Sequence, residues 1–257
     1  MPGCSPERRY GTKGSGPLPQ KLALCGRKIT MADTATRVMA GSMSRAPIYI
    51  ARHAETVFNA GGRMQGNDAH TPLTRRGFQQ AEAMGEGLRA ALGERPDLDV
   101  HVSAAGRTQQ TAAIIAEHLG LRFFDAMLDE RLYEIDVGLW RGRDYADIME
   151  EAGESIVDAA RGLFRLRPPE GEWYPDIRAR IDDWLASLDP ARPVLCITHG
   201  MTARVLRGAL VGGEPFEPGC VPIADGAPQG SIHVVEDGRE RLLIEGMGAA
   251  PAEQKGY

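Results

Sequence analysis

Ile48-Tyr49-Ile50-Ala51-Arg52-His53-Ala54-Glu55-Thr56 begins as a short β-branched apolar run that ends in Arg52-His53, two residues able to hold an anion. The run has the length and composition of a buried strand, and the polar turn that follows stops it. Similar runs recur outward from it, at Val100-His-Val-Ser103, Arg122-Phe-Phe-Asp125, Val194-Leu-Cys-Ile-Thr198, Ser231-Ile-His-Val-Val235 and Arg241-Leu-Leu-Ile244. Between them, amphipathic stretches predict helices over 74–92 and 107–119, a helical region through 144–188 and a helix over 201–210. This alternation predicts an α/β chain with a mostly parallel central sheet between two helical layers. Thr74 suits an N-cap, and Phe78, Ala81, Met84, Leu88, Ala91 and Leu92 form the apolar face expected of the first helix. Pro168-Pro169 breaks the long helical region, and a surface insertion is expected over about 141–172.

The 257 residues are 42% hydrophobic, 25% charged and carry a formal net charge of -5. There is no apolar tract long enough to span a membrane, so a globular chain without membrane contact is expected. The negative balance argues against nucleic acid held through its phosphates. Cys4, Cys25, Cys196 and Cys220 show no CxxC spacing and no disulfide framework, which fits a reducing cytoplasm. Residues 1–46 hold eight Lys or Arg against two acids and show no periodicity over Gly11 to Pro19. They read as a mostly disordered basic extension, an organelle transit peptide or the product of an upstream start, with 47–248 as the catalytic domain and 249–257 as a flexible tail.

Ligands of open α/β sheets bind outside the carboxyl ends of the strands. Here the first run ends in Arg52-His53, the second in Ser103-Ala-Ala-Gly-Arg107 and the fourth in Thr198-His199-Gly200. Two arginines and two histidines would share one crevice. Guanidinium forks match phosphoryl oxygens, and helix N-terminal amides add partial positive charge. No carboxylate falls at a comparable strand end, so the set suits a metal poorly and neither metal nor cofactor is expected.

Those residues carry a resemblance to the histidine phosphatase superfamily, the phosphoglycerate mutase-like family, over about 47–246. Arg52-His53-Ala54-Glu55-Thr56-Val57-Phe58-Asn59 resembles its first signature, with Ala54 where glycine is usual. Gly62-Arg63-Met64-Gln65-Gly66 and Pro72-Leu73-Thr74-Arg75-Arg76-Gly77-Phe78-Gln79-Gln80-Ala81 resemble its next two segments. Ser103 to Ala112 is similar to its Ser-x-x-x-Arg-x-x-Gln-Thr-Ala, and Thr198-His199-Gly200 to its second histidine motif. Leu132-Tyr-Glu134 through Gly138-Leu-Trp140-Arg141-Gly142 looks like the phosphatase branch, with Arg141 in place of an acid.

A small helical insertion over the active site is expected, and the resemblance assigns roles by position. His53 is the nucleophile that forms a phosphohistidine. Arg52, Arg107 and His199 hold the phosphoryl oxygens and Asn59 completes their pocket, with Gln65, Gly66 and Gly200 as further substrate-binding positions. Glu134 is the proton donor, with Glu130 and Asp136 as neighbouring competitors.

The implied substrate is a small phosphorylated metabolite, and the oligomeric state is unreadable. A mutase that returns the phosphoryl group to another hydroxyl is the alternative, although the Glu-Arg-His-Tyr-Gly segment typical of the family's mutases is missing. A phospho-ligand-binding module is the alternative of another class. Arg141, Arg143, Arg165 and Arg167 could form a second anionic subsite, but a solvated basic face is the preferred reading. Trp173, Tyr174 and Trp184 read as packing residues, and His70, His101, His118 and His233 as surface or core.

Overall fold

The computed structural model describes residues 45–152, 156–158, 160–217 and 219–248. The expectations for 249–257 and for all of 1–46 except its last two residues lie outside these. Arg45 and Ala46 belong to the folded part, since Arg45 Nη2 donates to Leu185 O and Ala46 N to Pro190 O.

Along the chain run β1 (Ile48–Arg52), α1 (Val57–Gly61), α2 (Arg75–Leu92), β2 (Asp99–Ser103), α3 (Gly106–Leu119) and β3 (Met127–Asp129). The insertion follows, with α4 (Tyr145–Ala152), β4 (Val157–Asp158) and β5 (Leu163–Phe164). Then come α5 (Tyr174–Ser187), β6 (Val194–Thr198), α6 (Gly200–Val211), a small hairpin of β7 (Pro215–Phe216) and β8 (Val221–Pro222), and finally β9 (Ile232–Glu236) and β10 (Arg239–Ile244). The main sheet has the order β10-β9-β1-β6-β2-β3, parallel from β1 to β3 and antiparallel at β9 and β10.

Period-two alternation explains the three layers. Ile48, Ile50, Val194 and Cys196 point to one face, where Tyr174, Ile177, Ile181 and Trp184 of α5 and Val205 and Leu206 of α6 cover them. Ala51, Val102, Leu195 and Ile197 point to the other, against Met84 and Leu88 of α2 and Ile115 and Leu119 of α3. Both faces are therefore dry. Among the described residues no helix is long and apolar enough to cross a membrane.

Three expectations change. Phe123–Asp125 is a 3₁₀ turn, and the strand lies just beyond it at Met127–Asp129 on the sheet edge. The β propensity of two phenylalanines misleads there because Phe124 is 89% exposed and packs on nothing that would fix a strand. The helical reading of 144–188 gives way to two helices separated by the β4–β5 hairpin. In α2, Phe78 and Ala91 face solvent, and the buried stripe runs through Gly77, Gln80, Ala81, Met84 and Leu88. The helix is turned that way by its start: a Cβ on Gly77 would stand 2.1 Å from Glu55 O, so only glycine lets α2 press on the loop after His53. Thr74 caps it as expected, accepting from Gly77 N at 2.9 Å.

The strand order reverses where β6 slots between β1 and β2. Arg52 lies opposite Thr198, and Val102 opposite Ile197. The three strand ends that carry Arg52-His53, His199 and the approach to Arg107 are thus neighbours, at the switch point where such sheets bind ligands.

Candidate active site

His53 follows β1 and is 2% exposed. Its backbone N donates to Thr198 O at 3.0 Å, which sews β1 to β6 at this point. Its Nδ1 lies 2.7 Å from Ala54 O. A carbonyl can only accept, so Nδ1 carries the proton and Nε2 keeps its lone pair. Ala54 is held in turn by its own N–H, which donates to Thr111 Oγ1, and that hydroxyl donates to Arg107 O.

His199 is the N-cap of α6 and fully buried. Arg107 Nε donates to its Nδ1 at 3.2 Å, which leaves the ring proton on Nε2, 2.7 Å from Ser103 Oγ. The two imidazoles meet edge on with centroids 5.2 Å apart. Burial, followed by the Arg107 charge, holds both pKa values well below the ordinary histidine range. Both rings are therefore neutral near neutral pH.

Arg107, in the first turn of α3, is fully buried. It donates to Gly66 O at 2.8 Å, to Asp68 O at 2.6 Å and to Thr71 Oγ1 at 3.0 Å. Burial pushes its pKa down to about 10, so it stays cationic. Arg52 donates from Nη1 to Ala227 O, and its buried Nε has no partner among the described residues. Its guanidinium lies across the start of α6, where a Cβ on Gly200 would come within 3.2 Å of Arg52 Cζ. Gly66 is needed for another reason: its φ is +53°, and a Cβ there would stand 2.5 Å from the Val137 side chain.

A cavity of about 500 Å³ opens over these residues. Arg52, His53, Asn59, Gln65, Gly66, Glu134 and Gly200 line it, so the structure brings seven of the nine expected site residues to one surface. Arg107 and His199 stand behind that lining, in contact with each other. Asn59 accepts from Thr56 N through Oδ1 at 3.1 Å, and among the described residues its amide NH₂ has no acceptor. Thr56 Oγ1 lies 2.7 Å from Gln65 Oε1. Glu134 accepts from Met201 N at 3.0 Å and Thr202 N at 3.1 Å, a carboxylate on the positive end of α6. Its competitors are placed elsewhere: Glu130 is exposed, and Asp136 is paired with Arg141 at 2.8 Å.

The four arginines considered for a second subsite are all in ion pairs outside the cavity lining. Arg141 pairs with Asp136, Arg143 with Glu151, Arg165 with Asp158 and Arg167 with Asp176. Tyr174 and Trp184 are fully buried packing residues, and Trp173 packs against the same cluster. His101 accepts from Trp184 Nε1, and His118, in the last turn of α3, pairs with Glu82.

Sequence reasoning missed Arg63, Tyr145, Arg161 and Arg204, which also line the cavity. Arg204 left a signal. It and Arg207 interrupt the apolar reading of α6, and both are buried, at 6% and 4% exposure. The other three lie in loops or in the insertion, where no periodicity marks a side chain's direction.

The family model for the histidine phosphatase superfamily (branch 1) matches residues 48–248. The Enterobacter sp. (strain 638) protein named "Probable phosphoglycerate mutase GpmB" is 34% identical over 171 residues, 64% of this chain and 74% of that protein. A solved mycobacterial glucosyl-3-phosphoglycerate phosphatase, in complex with VO3, is 29% identical with a TM-score of 0.60, over 80% of this chain and 100% of its own. A Thermus thermophilus protein of known structure is 27% identical with a TM-score of 0.53, over 79% and 99%.

Proposed function

Because the chain belongs to the histidine phosphatase superfamily, we propose that it hydrolyses a small phosphomonoester in the cytoplasm through a phosphohistidine on His53, without a metal ion. The observation that carries this reading is the state of His53: its Nδ1 proton is fixed on Ala54 O, and the free Nε2 lone pair borders a cavity beside the unsatisfied Nε of Arg52. A neutral, oriented imidazole is a nucleophile, and an unmatched guanidinium N–H calls for an oxyanion.

In the first step His53 Nε2 forms a bond to phosphorus while the bond from phosphorus to the ester oxygen breaks. Glu134 gives a proton to the departing oxygen, so the leaving group is an alcohol. In the second step water attacks phosphorus, Glu134 takes its proton, and the bond to Nε2 breaks to release phosphate.

Arg52 and the Asn59 amide meet the equatorial oxygens. Arg107 reaches them by turning Nε from His199 Nδ1 to the ligand, and His199 donates to an oxygen once that freed Nδ1 has taken up a proton from the arriving phosphomonoester. With these donors the two arginines stabilise the charge that a metal would otherwise offset.

Phosphate release from p-nitrophenyl phosphate in the presence of EDTA tests the reading, together with a rapid quench that captures labelled phosphoenzyme. Metal-independent release through an acid-labile, alkali-stable phosphoenzyme is expected. Retention of that label in His53→Ala would sink the nucleophile assignment. The likeness to a protein named as a mutase supports one further assay, with 3-phosphoglycerate. Isomerisation without phosphate release would make the chain a mutase, and saturable binding without any turnover would make it a binding module.

A further inference from the structure

We propose that Arg161 and Arg204 form a second anion subsite in the wall of the same cavity, so that the preferred phosphomonoester carries a second anionic oxygen group, a carboxylate or a phosphate, on its alcohol. The inference rests on the phosphohydrolase reading for the first phosphoryl group.

Its basis is a contrast among the arginines of the insertion and of α6, which packs against it. Arg141, Arg143, Arg165 and Arg167 each have a carboxylate within 3.1 Å and lie away from the cavity lining. Arg161 and Arg204 line the cavity and, among the described residues, form no ion pair. Arg161 makes one side-chain hydrogen bond, from Nη2 to Ile223 O at 2.6 Å, and its guanidinium carbon stands 5.1 Å from the centre of the Phe216 ring. The ring supports the cation and leaves most of its N–H groups unused. Arg204 reaches up from α6 and donates to Arg161 O at 2.9 Å, Gly162 O at 3.2 Å and Ala224 O at 2.8 Å. It thereby fixes the turn on which Arg161 is carried.

Two cations held so close in a half-enclosed wall repel each other. Burial, and then the Arg161 and Arg207 charges, act to lower the Arg204 pKa, which Tyr174 and Asp225 partly restore, leaving it at about 10. Arg204 is therefore charged at neutral pH, and an anion between the two guanidinium groups and the solvent relieves their repulsion. Among the described residues Glu134 is the only carboxylate in the cavity lining, and it is already spent on the amides of α6. A cavity of about 500 Å³ is ample for a phosphoryl group at His53 and a second anionic group at Arg161 on one small molecule.

Matched substrates test this. The pair 3-phosphoglycerate and glycerol 3-phosphate differ by a carboxylate, and fructose 1,6-bisphosphate and fructose 1-phosphate by a phosphate. The wild-type protein is expected to prefer the more anionic member of at least one pair by tenfold or more in kcat/KM, mainly through KM. The pair with the larger ratio identifies the group. Arg161→Gln is expected to collapse that ratio towards one, and Arg165→Gln, its ion-paired neighbour on the hairpin, to keep it.

Equal loss on both members of a pair in Arg161→Gln, or a collapse in Arg165→Gln, would overturn the subsite. So would the absence of any preference in the wild type. If nothing is hydrolysed, the function fails but the subsite is still judged. Calorimetric binding of 3-phosphoglycerate, glycerol 3-phosphate and the two fructose phosphates to His53→Ala must then show the same preference, and Arg161→Gln on that background must remove it.

Discussion

The floor of the cavity and the outer rim that the insertion forms away from the lining are both rich in arginine, yet they are built on opposite principles. On the floor, Arg107 is buried and Arg52 half-buried, neither is in an ion pair among the described residues, and the two histidines beside them are neutral. On the rim, Arg141, Arg143, Arg165 and Arg167 are one-third to three-fifths exposed, and each has an acid at hand. Withdrawing a cation from water without a counter-charge is costly, so a chain that gathers two such cations at one point leaves the missing charge to a ligand. The rim pairs carry no such message, because exposed ion pairs contribute little and are screened by salt.

The strongest way to break this contrast is at the floor. His53→Ala is expected to lower kcat by on the order of 10⁴-fold or more, as removal of a nucleophile does. Stopped-flow assays with p-nitrophenyl phosphate measure it, and residual activity within a hundredfold of wild type would refute the role. Glu134→Gln keeps the hydrogen bonds at the start of α6 but cannot deliver a proton. It should cost about 10²- to 10⁴-fold on alkyl phosphates and much less on p-nitrophenyl phosphate, whose leaving group needs no proton. An equal loss on both substrates would point to a structural role. Arg107→Met, judged against a thermal melt that shows the fold intact, should cost about 10²- to 10³-fold, the usual effect of one lost donor to a developing oxyanion.

The difference between the two regions also explains what could be read in advance. Arg52, His53, Arg107 and His199 follow strands whose apolar runs are visible in the chain, and strand ends fix a residue's place in an α/β sheet. Arg161 follows no such rule. Its direction depends on Arg204 donating to two carbonyls of a hairpin more than forty residues away, and on a Phe216 ring that arrives from another hairpin. The same limit applies at Phe123, where local propensity favoured a strand and the sheet edge placed it four residues later. It applies again to Thr111, whose hydroxyl joins the Ala54 peptide to Arg107 and so links nucleophile to cation across fifty-seven residues.

Floor and rim should also separate along the pH axis. His53, His199, His101 and His233 all have lowered pKa values in the folded protein, that of His233 at about 4. Unfolding exposes them to their ordinary value near 6.5, so below that pH the unfolded chain takes up protons that the folded chain refuses. Stability is then flat above about 6.5 and falls as the pH drops, with a slope of up to about 1.4 kcal/mol per pH unit for each such group. Asp136, Glu151 and Asp158 on the rim have lowered values as well, but as acids. Their contribution is full above the ordinary carboxylate range and is lost only below it. Urea denaturation between pH 7 and 5 should therefore report the buried histidines, the floor pair among them, and not the rim, and His53→Gln should reduce the slope. An unchanged slope in that variant would mean that His53 is protonated in the fold.

The smallest effect is expected from Arg165→Ala, and it is the sharpest test of how the rim is held. The side chain is 57% exposed and its bond to Asp158 is 3.1 Å long, so solvent screens the pair and it contributes little. The turn beneath it does not depend on that pair. Asp158 Oδ1 accepts from Ala160 N and Arg161 N at 3.0 Å each, and Asp158 O accepts from Gly162 N at 2.6 Å. Those three bonds survive the loss of Arg165, and Arg204 still holds Arg161 from the other side. The midpoint in urea and the kcat/KM ratios for matched substrates should therefore stay near the wild-type values. Asp158→Ala removes the carboxylate that organises the turn and should disturb both, because the Ala160 and Arg161 amides then lose their acceptor. If Arg165→Ala proved as damaging as Asp158→Ala, the exposed pair rather than the turn would be what positions Arg161.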